Sequence, residues 1–473
     1  MTRMLMVQIQ PYPYIGTAYL CSAARSHGHT FELLISDNIS TTIEKINKFK
    51  PDLIGFSCMT GIHIQILDVI KNIKEIHNIP IILGGPHPTF FPEIINSEGV
   101  DIICRGEGEF ALIELLDAIE SKQPYFDIKN LWVKNSEKIY KNDLRPLPEH
   151  MDDIPLIDWS CYNNSGLNLH LPATHPIRGC PFSCTYCFNE FTRNLYHNNS
   201  HYVRHFSVKR AIEEIKITIN AFPLNSTLLF TSDSFGIDIP WMEEFFDCYS
   251  KNIDLPFIIQ LRPELASQKC IDTFKNCKCH MVAIGIESGS EKIRKEILNR
   301  NYSNNTLIDI ANRLHSAKIK FRTYNIIGIP TETEEDRFEA VHLNVLMKTD
   351  YPKQSIFSPF PGTKLTTMAK EKGYLSSDFS FDSLPKSVIM RSVLNIPESE
   401  KNNIINMLHF FQTFVLFPKT IRLSKLLFKI PPNPIYKIWF MIVYAWIFMK
   451  SEGRNTYSFI KLSITNVKYV IGK

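Results

Sequence analysis

The first 145 residues alternate short apolar runs with amphipathic stretches. The apolar runs occupy residues 4–9, 30–35, 53–57, 79–83 and 101–104, and the amphipathic stretches occupy residues 18–26, 41–49 and 62–76. Repeated strand and helix patterns of this size predict a doubly wound parallel sheet, a Rossmann-like α/β fold. Ligands of such sheets bind beyond the carboxyl ends of the strands, so we expect a cofactor near Gly16, Ser57, Gly84 and Gly85.

A second α/β pattern follows a proline-rich stretch, and residues 146–173 are therefore predicted to be a linker. Strands are predicted at residues 228–231, 257–261, 281–286, 323–329 and 355–358, with one more leading into Cys180. Six strands alternating with helices predict a partial (β/α)6 barrel over residues 174–370, with catalytic groups at the strand ends.

Residues 371–473 have a different pattern and are predicted to form a helical module that faces substrate or a membrane. The apolar run Ile438–Met449 has 12 residues, whereas a helix needs about 20 to span a bilayer. Arg422, Lys425 and Lys429 stand beside leucines, which fits a helix on an anionic membrane surface. The general tendency of apolar stripes to be core favours the alternative, a helix packed on the barrel.

Composition narrows the function classes. With 52 Lys and Arg against 48 Asp and Glu, the net charge is +4, which gives no electrostatic reason to expect nucleic acid. The cysteine count of 11 is odd, and the first ten residues lack a secretory apolar segment. We therefore expect a cytoplasmic protein whose cysteines serve metal binding or catalysis. If the C-terminal helix lies on a membrane, we also expect peripheral contact at the inner membrane surface.

The sharpest local signal is a loop with three cysteines, Cys180, Cys184 and Cys187. A four-iron cluster normally takes four cysteines, so three leave one iron without a protein ligand. An open coordination position is typical of catalytic metal sites. The alternative is a zinc site completed by another ligand, and the candidates for that ligand are His175, Cys161 and His201.

This loop resembles the CxxxCxxC motif of the radical S-adenosylmethionine (SAM) superfamily. The resemblance implies that Cys180, Cys184 and Cys187 bind a [4Fe-4S] cluster whose open iron chelates the amino and carboxylate groups of SAM. It also implies that an electron from the cluster splits SAM to give a 5′-deoxyadenosyl radical. Tyr186 occupies the aromatic position before the third cysteine, where the superfamily places the backbone against adenine.

Four further segments match superfamily motifs in the same order along the predicted barrel, at residues 230–235, 285–291, 326–333 and 360–363. Each segment alone fits an ordinary strand end or turn, but five ordered matches are hard to obtain by chance. The resemblance implies SAM contacts from Ser232, Asp233, Glu287, Ser288 and Ile327. Arg262, at the end of the predicted third strand, is a further candidate because a guanidinium binds a carboxylate in bidentate fashion.

The amino-terminal domain resembles the cobalamin-binding Rossmann-like module, whose pattern is DxHxxG, then SxL, then GG. The matching residues are Gly16, Ser57 with Met59, and Gly84 with Gly85. Small residues at these places let a corrin and its nucleotide tail approach the backbone. A flavodoxin-like domain with another ligand, or none, stays open.

The match departs from the cobalamin pattern at one place, because Pro11 and Pro13 stand where the pattern has Asp and His. Cobalt would therefore lack the usual histidine lower ligand, and His87 is a weaker candidate for that role. Gly106 and Glu107 belong to an Arg-Gly-Glu-Gly-Glu segment that recurs in the cobalamin-dependent subfamily. We expect this segment to contribute to the cofactor site.

Together the resemblances cover about residues 1–370 and imply a cobalamin-dependent radical SAM enzyme. The most economical reaction is methylation of an unactivated carbon, or of phosphinate phosphorus, in a small-molecule or lipid-like substrate, because such a carbon offers no lone pair for polar methyl transfer. An electron donor such as flavodoxin or ferredoxin is implied as a partner. Two alternatives stay open: a non-methylating radical cyclase or rearrangement enzyme, and a non-catalytic iron-sulfur electron carrier or cobalamin sensor.

Overall fold

Contacts between residues divide the chain into two units, Met1–Gly179 with Phe191–Asn225, and Cys180–Glu190 with Ser226–Lys473. The computed structural model describes all residues except 137, 164, 166, 168–170, 197–200, 223–225, 233–234, 385–388, 390 and 452–473.

The first unit is built on a mixed sheet. The described strands of this unit are β1 (Arg3–Gln8), β2 (Thr30–Ile35), β3 (Leu53–Ser57), β4 (Ile81–Gly84), β5 (Ile102–Cys104), β6 (Leu131–Asn135), β7 (Lys138–Lys141), β8 (Ala173–Thr174), β9 (Ile177–Arg178) and β10 (Arg204–His205). The order β2-β1-β3-β4-β5-β6-β7 forms one sheet. Strands β1 to β5 are parallel, whereas β6 and β7 form an antiparallel hairpin at the edge. The predicted Rossmann-like fold is confirmed, and the hairpin is an addition that the sequence pattern did not reveal.

The helices that connect the parallel strands pack on this sheet and bury its apolar residues. Up to residue 225 the described helices are α1 (Ile15–Ser26), α2 (Ile39–Phe49), α3 (His63–Lys74), α4 (Pro86–Phe90), α5 (Glu109–Ser121), α6 (Phe188–Leu195) and α7 (Val208–Ala221). Helix α2 begins where the Asn38 side chain accepts a hydrogen bond from the Thr41 amide, which satisfies one free amide of the first turn. Ile54 and Leu83 are fully buried in the strands that these helices cover.

The second unit contains a parallel sheet of the predicted barrel type. Its strands are β11 (Leu228–Phe230), β12 (Phe257–Leu261), β13 (Cys279–Glu287), β14 (Lys320–Ile327) and β15 (Tyr351–Ile356), hydrogen-bonded in sequential order. The register shifts between Gly285 and Glu287, where β13 ends against β14. The predicted parallel barrel-type fold class is confirmed. Five of the six predicted strands lie in this unit.

The helices between these strands begin at capped positions. They are α8 (Ile239–Asn252), α9 (Gln268–Asn276), α10 (Asn304–Ser316), α11 (Glu334–Leu346) and α12 (Lys364–Glu371). Asp238, Ser267, Ser303 and Thr363 each accept a backbone hydrogen bond at a helix start. Thr333 and Asp336 form a reciprocal capping box at α11. Each cap fixes the point at which the chain leaves the loop after a strand.

The C-terminal part continues with α13 (Glu398–Leu416), α14 (Ser424–Leu427) and α15 (Pro434–Ser451). Helix α13 packs into the core beside β15, and the Gln412 amide donates a 2.9 Å hydrogen bond to the Pro352 carbonyl. The helix predicted around Arg422 and Lys429 is not continuous: Pro418–Leu423 form a 3-10 turn before the short α14. Among the described residues, no helix is long and apolar enough to cross a membrane.

Candidate functional site

A cavity of about 450 Å³ lies in the first unit, bordered by the ends of β3 and β4. It is lined by six of the seven residues predicted from the cobalamin pattern, namely Gly16, Ser57, Gly84, Gly85, Gly106 and Glu107. Met59, the seventh, is not among the lining residues. Strand side chains such as Met6 and Phe56 give the cavity a largely apolar wall.

Glycines create the space in this cavity. A Cβ atom at Gly16 would meet no atom within 4 Å, so the position faces open space. Gly85 has φ +96°, and a Cβ there would lie 3.1 Å from the Cys58 carbonyl oxygen. Only glycine fits that turn without strain. The backbone is therefore exposed to a ligand at Gly16 and tightly turned at Gly85.

One wall of the cavity carries charge. Arg178 lies 3.2 Å from the Glu107 carboxylate and 2.7 Å from that of Glu109, and Arg204 also pairs with Glu107. Burial opposes ionisation of Glu107, but the two guanidinium groups outweigh it and hold the pKa of this carboxyl below its usual value. The Glu107 amide donates a 3.2 Å hydrogen bond to the Tyr196 hydroxyl. Glu107 is thus held ionised and fixed in place.

His87 does not line the cavity. It is fully buried, its ring stacks on His63 with centroids 4.2 Å apart, and its Nδ1 lies 3.0 Å from the Thr60 hydroxyl. This packing accounts for His87 as a structural residue. His175, by contrast, does line the cavity, and burial followed by the charge of Arg178 lowers its pKa to about 4.

A second pocket, of about 210 Å³, lies in the second unit and brings together the three cysteines with residues from the strand ends. Cys180, Cys184 and Cys187 line it with Tyr186, Arg262, Glu287 and Arg300. The cysteine loop is anchored through Thr185, whose hydroxyl donates a 2.6 Å hydrogen bond to the Ile297 carbonyl. The Leu365 amide in turn donates to the Thr185 carbonyl at 2.9 Å.

Arg262 follows β12 and points at the cysteine loop. Its Nη1 lies 2.9 Å from the Cys184 sulfur, and its guanidinium lies 3.7 Å from the centre of the Phe182 ring. Nη2 donates a 2.6 Å hydrogen bond to the Glu264 carboxylate. Arg262 therefore brings positive charge next to the cysteine sulfurs, where an anionic ligand group would be stabilised.

Glu287 ends β13 with φ +69°, an uncommon conformation for a residue with a side chain. Arg300 holds the Glu287 carboxylate at 2.9 Å, the Tyr186 hydroxyl at 2.8 Å and the Gly285 carbonyl at 2.9 Å. A Cβ at Gly285 would lie 2.2 Å from the Glu287 carboxylate, so only glycine leaves room for it. Burial raises the pKa of Glu287, and Arg300 opposes that rise.

The other predicted SAM contacts have different positions. Ser232, Ser288 and Ile327 are buried but are not among the residues that line the pocket. Asp233 lies outside the described residues. Arg300 stands in a loop 13 residues after Glu287, outside the four motif segments, so no local sequence signal marks it. Arg178 and Arg204 lie on the short strands β9 and β10, and only their contacts with Glu107 in the folded chain reveal a role for them.

Comparison with known proteins gives these cavities a family context. The Radical SAM superfamily profile matches residues 174–343, and the B12 binding domain profile matches residues 10–116. An uncharacterised methyltransferase of Pyrococcus horikoshii is 30% identical over 373 residues, covering 75% of this chain and 77% of the relative. The chain belongs to the radical SAM superfamily. It is a radical SAM enzyme with a B12-binding domain.

The names of other proteins similar to this radical SAM enzyme describe different activities. An anaerobic magnesium-protoporphyrin IX monomethyl ester cyclase of Cereibacter sphaeroides is 22% identical over 374 residues, which cover 75% of this chain and 60% of that protein. A structure of the radical SAM methyltransferase TsrM from Kitasatospora setae with cobalamin and a [4Fe-4S] cluster has a TM-score of 0.65 and 15% identity, covering 80% of this chain and 76% of that chain. A structure of the cobalamin-dependent SAM radical enzyme OxsB with aqua-cobalamin and SAM has a TM-score of 0.69 and 15% identity, covering 99% of this chain and 75% of that chain. At such identities the likeness to these structures shows the fold.

The two matched domains imply a [4Fe-4S] cluster, SAM and cobalamin as cofactors, and the residues of the two cavities suit them. Three thiol ligands leave one iron of a cluster open, so membership decides between zinc and iron in favour of the cluster. Arg262 and Glu287 offer complementary charges to an amino acid group. Because space is open at Gly16 and the chain turns tightly at Gly85, the corrin ring and nucleotide tail of cobalamin can approach the backbone here.

Proposed function

We propose that this enzyme is a cobalamin-dependent methyltransferase acting on an unactivated carbon, or phosphinate phosphorus, of a small-molecule or lipid-like substrate. The observation that carries the proposal is that one chain contains two cavities of different chemistry, a glycine-rich cavity at Gly16 and Gly85 and a thiol-lined pocket at Cys184. When bound, the cluster with SAM supplies an organic radical, and cobalamin supplies a methyl group.

In the second unit, Cys180, Cys184 and Cys187 would hold the cluster, and Arg262 would bind the SAM carboxylate beside it. Glu287 would accept hydrogen bonds from the SAM amino group or ribose. Arg300 keeps the Glu287 carboxylate oriented and paired, because it bonds to Glu287, Tyr186 and Gly285 at once. An electron donor such as flavodoxin or ferredoxin would reduce the cluster.

In the first unit, Gly16, Ser57, Gly84 and Gly85 would face cobalamin, and the pair Glu107 with Arg178 would border it. Pro13 offers no nitrogen to cobalt because its only nitrogen is in the peptide bond. His87 is occupied by its packing against His63. We therefore propose that cobalt is bound without a histidine lower ligand.

The methyltransferase of Pyrococcus horikoshii supports methyl transfer as the activity. The cyclase of Cereibacter sphaeroides supports a second candidate, a radical reaction that forms a ring and transfers no methyl group. The two candidates differ in one measurable property: only a methyltransferase places a methyl group from methionine in its product.

Growth of the source organism on methionine with a deuterated methyl group tests this difference. We expect one metabolite to carry the label in cells with the wild-type gene and to lack it after gene deletion, while an unmethylated precursor accumulates. Complementation with Cys184→Ala should fail. Complementation with Cys248→Ala should succeed, because Cys248 lies on α8 outside both cavities. If the deletion instead removes a metabolite that carries no methyl label in wild-type cells, the cyclase candidate would be favoured.

A further inference from the structure

Exposed apolar side chains are concentrated in one part of the second unit. Among the described residues, 15 large apolar side chains are exposed, and nine of them lie between residues 417 and 446. They are Phe417, Leu423, Leu426, Ile430, Ile435, Ile438, Trp439, Ile442 and Trp446. Scattered exposed apolar residues need no explanation, but a cluster of this kind marks an interaction surface.

Helix α15 carries five of these residues on one face. Ile435, Ile438, Trp439, Ile442 and Trp446 follow the spacing of three and four residues that forms a stripe along a helix. A different face packs inward through Tyr436, Phe440, Val443 and Ile447, all of them buried. Helix α15 therefore has one apolar face in the protein core and a second apolar face in contact with solvent.

The exposed stripe is held in position by the fold. The Trp439 indole donates a 2.9 Å hydrogen bond to the Thr413 hydroxyl of α13. At the end of α15, Arg322 donates a 2.5 Å hydrogen bond to the Ser451 hydroxyl, and His280 Nε2 lies 3.1 Å from the Ser451 carbonyl oxygen. A preformed apolar face loses little conformational freedom when it binds a partner.

The charged residues of the segment that carries the stripe have one sign. From residue 402 to residue 451 the sequence contains no Asp or Glu and six basic residues, Lys419, Arg422, Lys425, Lys429, Lys437 and Lys450. All six are exposed. The whole chain is nearly balanced in charge, so this excess is local. Lys450 also lies 4.2 Å from the centre of the Trp446 ring, an arrangement suited to the boundary between lipid tails and headgroups.

We propose that this surface, the exposed face of α15 with residues 417–430, docks on an anionic lipid bilayer. The isoleucines and tryptophans would enter the boundary between headgroups and acyl chains, and the basic residues would contact phosphate groups. The six exposed basic residues of this segment are complementary to anionic lipid. This proposal is independent of the methyl transfer proposed above, because none of its residues lines either cavity.

Flotation of the full-length, cofactor-loaded protein with phosphatidylcholine vesicles, with or without phosphatidylglycerol, tests the proposal. We expect the protein to float only with vesicles that contain phosphatidylglycerol and to be released by high salt, which screens the attraction. Ile438→Asp with Ile442→Asp should lower binding at least about tenfold, because two apolar side chains no longer enter the lipid. Lys425→Gln with Lys429→Gln should lower it by roughly fivefold per lysine.

Two matched controls separate docking from general effects. Leu346→Asp changes an equally exposed apolar residue at the end of α11, and Lys275→Gln with Lys295→Gln removes two exposed charges elsewhere in the same unit. Both should float like the wild type, and iron content should confirm that every variant is folded.

Failure of the wild-type protein to float would overturn the proposal. So would equal losses in the Leu346→Asp and Ile438→Asp with Ile442→Asp variants. A concentration-dependent dimer in sedimentation that the Ile438→Asp with Ile442→Asp variant dissociates would assign the surface to a second copy of the chain. If the full-length protein does not float but a variant without residues 452–473 does, those residues would be the occupant of the stripe. That result would likewise contradict docking by the intact protein.

Discussion

The two cavities use opposite means to make room for a cofactor. In the first unit, open space lies at Gly16, where no side chain projects, and the walls are mostly apolar. In the second unit, the pocket is filled with functional groups that are held by one another, as Arg300 holds Glu287. The first cavity should therefore be sensitive to added bulk, and the second to removed charge.

The contrast extends to the backbone. Gly85 has φ +96° and Glu287 has φ +69°, so both sites contain a left-handed residue next to a strand end. At Gly85 this costs little, because glycine has no Cβ. At Glu287 the conformation is strained by about 1–3 kcal/mol. Such strain persists where the surrounding contacts fix it, and here those contacts come from Arg300 and Gly285.

The largest effect should come from a change that removes one cofactor and spares the other. Cys184→Ala removes one of the three proposed cluster ligands, so iron binding should fall to near zero and SAM cleavage should stop. Cobalamin should still be retained through gel filtration. Iron analysis and the cobalamin absorbance of one sample measure both effects, with Cys248→Ala as the control. Normal iron content in the Cys184→Ala protein would refute the assignment of this ligand.

The reciprocal change adds bulk to the first cavity. Gly16→Leu fills space that is open in this structure, and leucine is a better helix former than glycine, so the apoprotein should be as stable or more stable by about 0.5–1 kcal/mol. Cobalamin retention should fall by at least about tenfold, since overlap of a side chain with a ligand costs more than 1.4 kcal/mol.

Iron content should not change in the Gly16→Leu protein. The matched control is Gln65→Leu, which adds the same side chain at an exposed position of α3. If Gly16→Leu binds cobalamin like the wild type, this cavity is not the cobalamin site. If the variant unfolds, thermal melting of the apoprotein will show it directly.

Charge removal in the second pocket should have an intermediate effect. Glu287→Gln keeps the shape of the side chain but weakens hydrogen bonds to a charged partner, which is worth about 1.5–3 kcal/mol. SAM affinity should therefore fall about tenfold or more, with cobalamin binding unchanged. Arg300→Lys should act in the same direction because lysine cannot bind three partners in one plane. Equilibrium binding of SAM to the reconstituted, oxidised protein measures both, and wild-type affinity in either variant would contradict the assigned roles.

The smallest effect, counted per pH unit, is on the free energy of unfolding of the apoprotein. The pKa of His175 is lowered to about 4 by burial and Arg178, against an ordinary value near 6.5, so the unfolded state binds more protons between these values. Stability from neutral His175 is present above pH 6.5 and is lost as pH falls towards 4, by at most about 1.4 kcal/mol per pH unit. The His175→Phe protein should lack this part of the pH dependence of unfolding. Identical pH profiles for both proteins would show that His175 is not responsible.

Much of this architecture was predictable because the strands of both units are short, apolar and separated by amphipathic helices. The observed bounds of β2, β3 and β12 coincide with the predicted runs at 30–35, 53–57 and 257–261. The edge hairpin β6 and β7 escaped prediction because Leu131–Asn135 and Lys138–Lys141 are only five and four residues long and each contains charged residues. Short edge strands obtain their pairing from the neighbouring strand, and their own sequence carries a weak signal.

The site was predictable where its residues follow one another in the sequence. The cysteine loop and the glycines at Gly16 and Gly85 are local patterns. Arg300 and Arg178 are recognised only by what they contact after folding, at separations of 13 residues to Glu287 and 69 residues to Glu109. Charged pairs of this kind leave no periodic signal, so their roles come from the structure.

We propose that methyl transfer by this chain requires both cavities. The most direct test of this proposal is to incubate the anaerobically reconstituted protein with SAM, cobalamin, a reductant and a cell extract from the deletion strain, and to quantify the products of SAM by chromatography. We expect both 5′-deoxyadenosine and S-adenosylhomocysteine to form, Cys184→Ala to abolish the first, and Gly16→Leu to reduce the second strongly. Formation of 5′-deoxyadenosine without any S-adenosylhomocysteine would contradict the proposal.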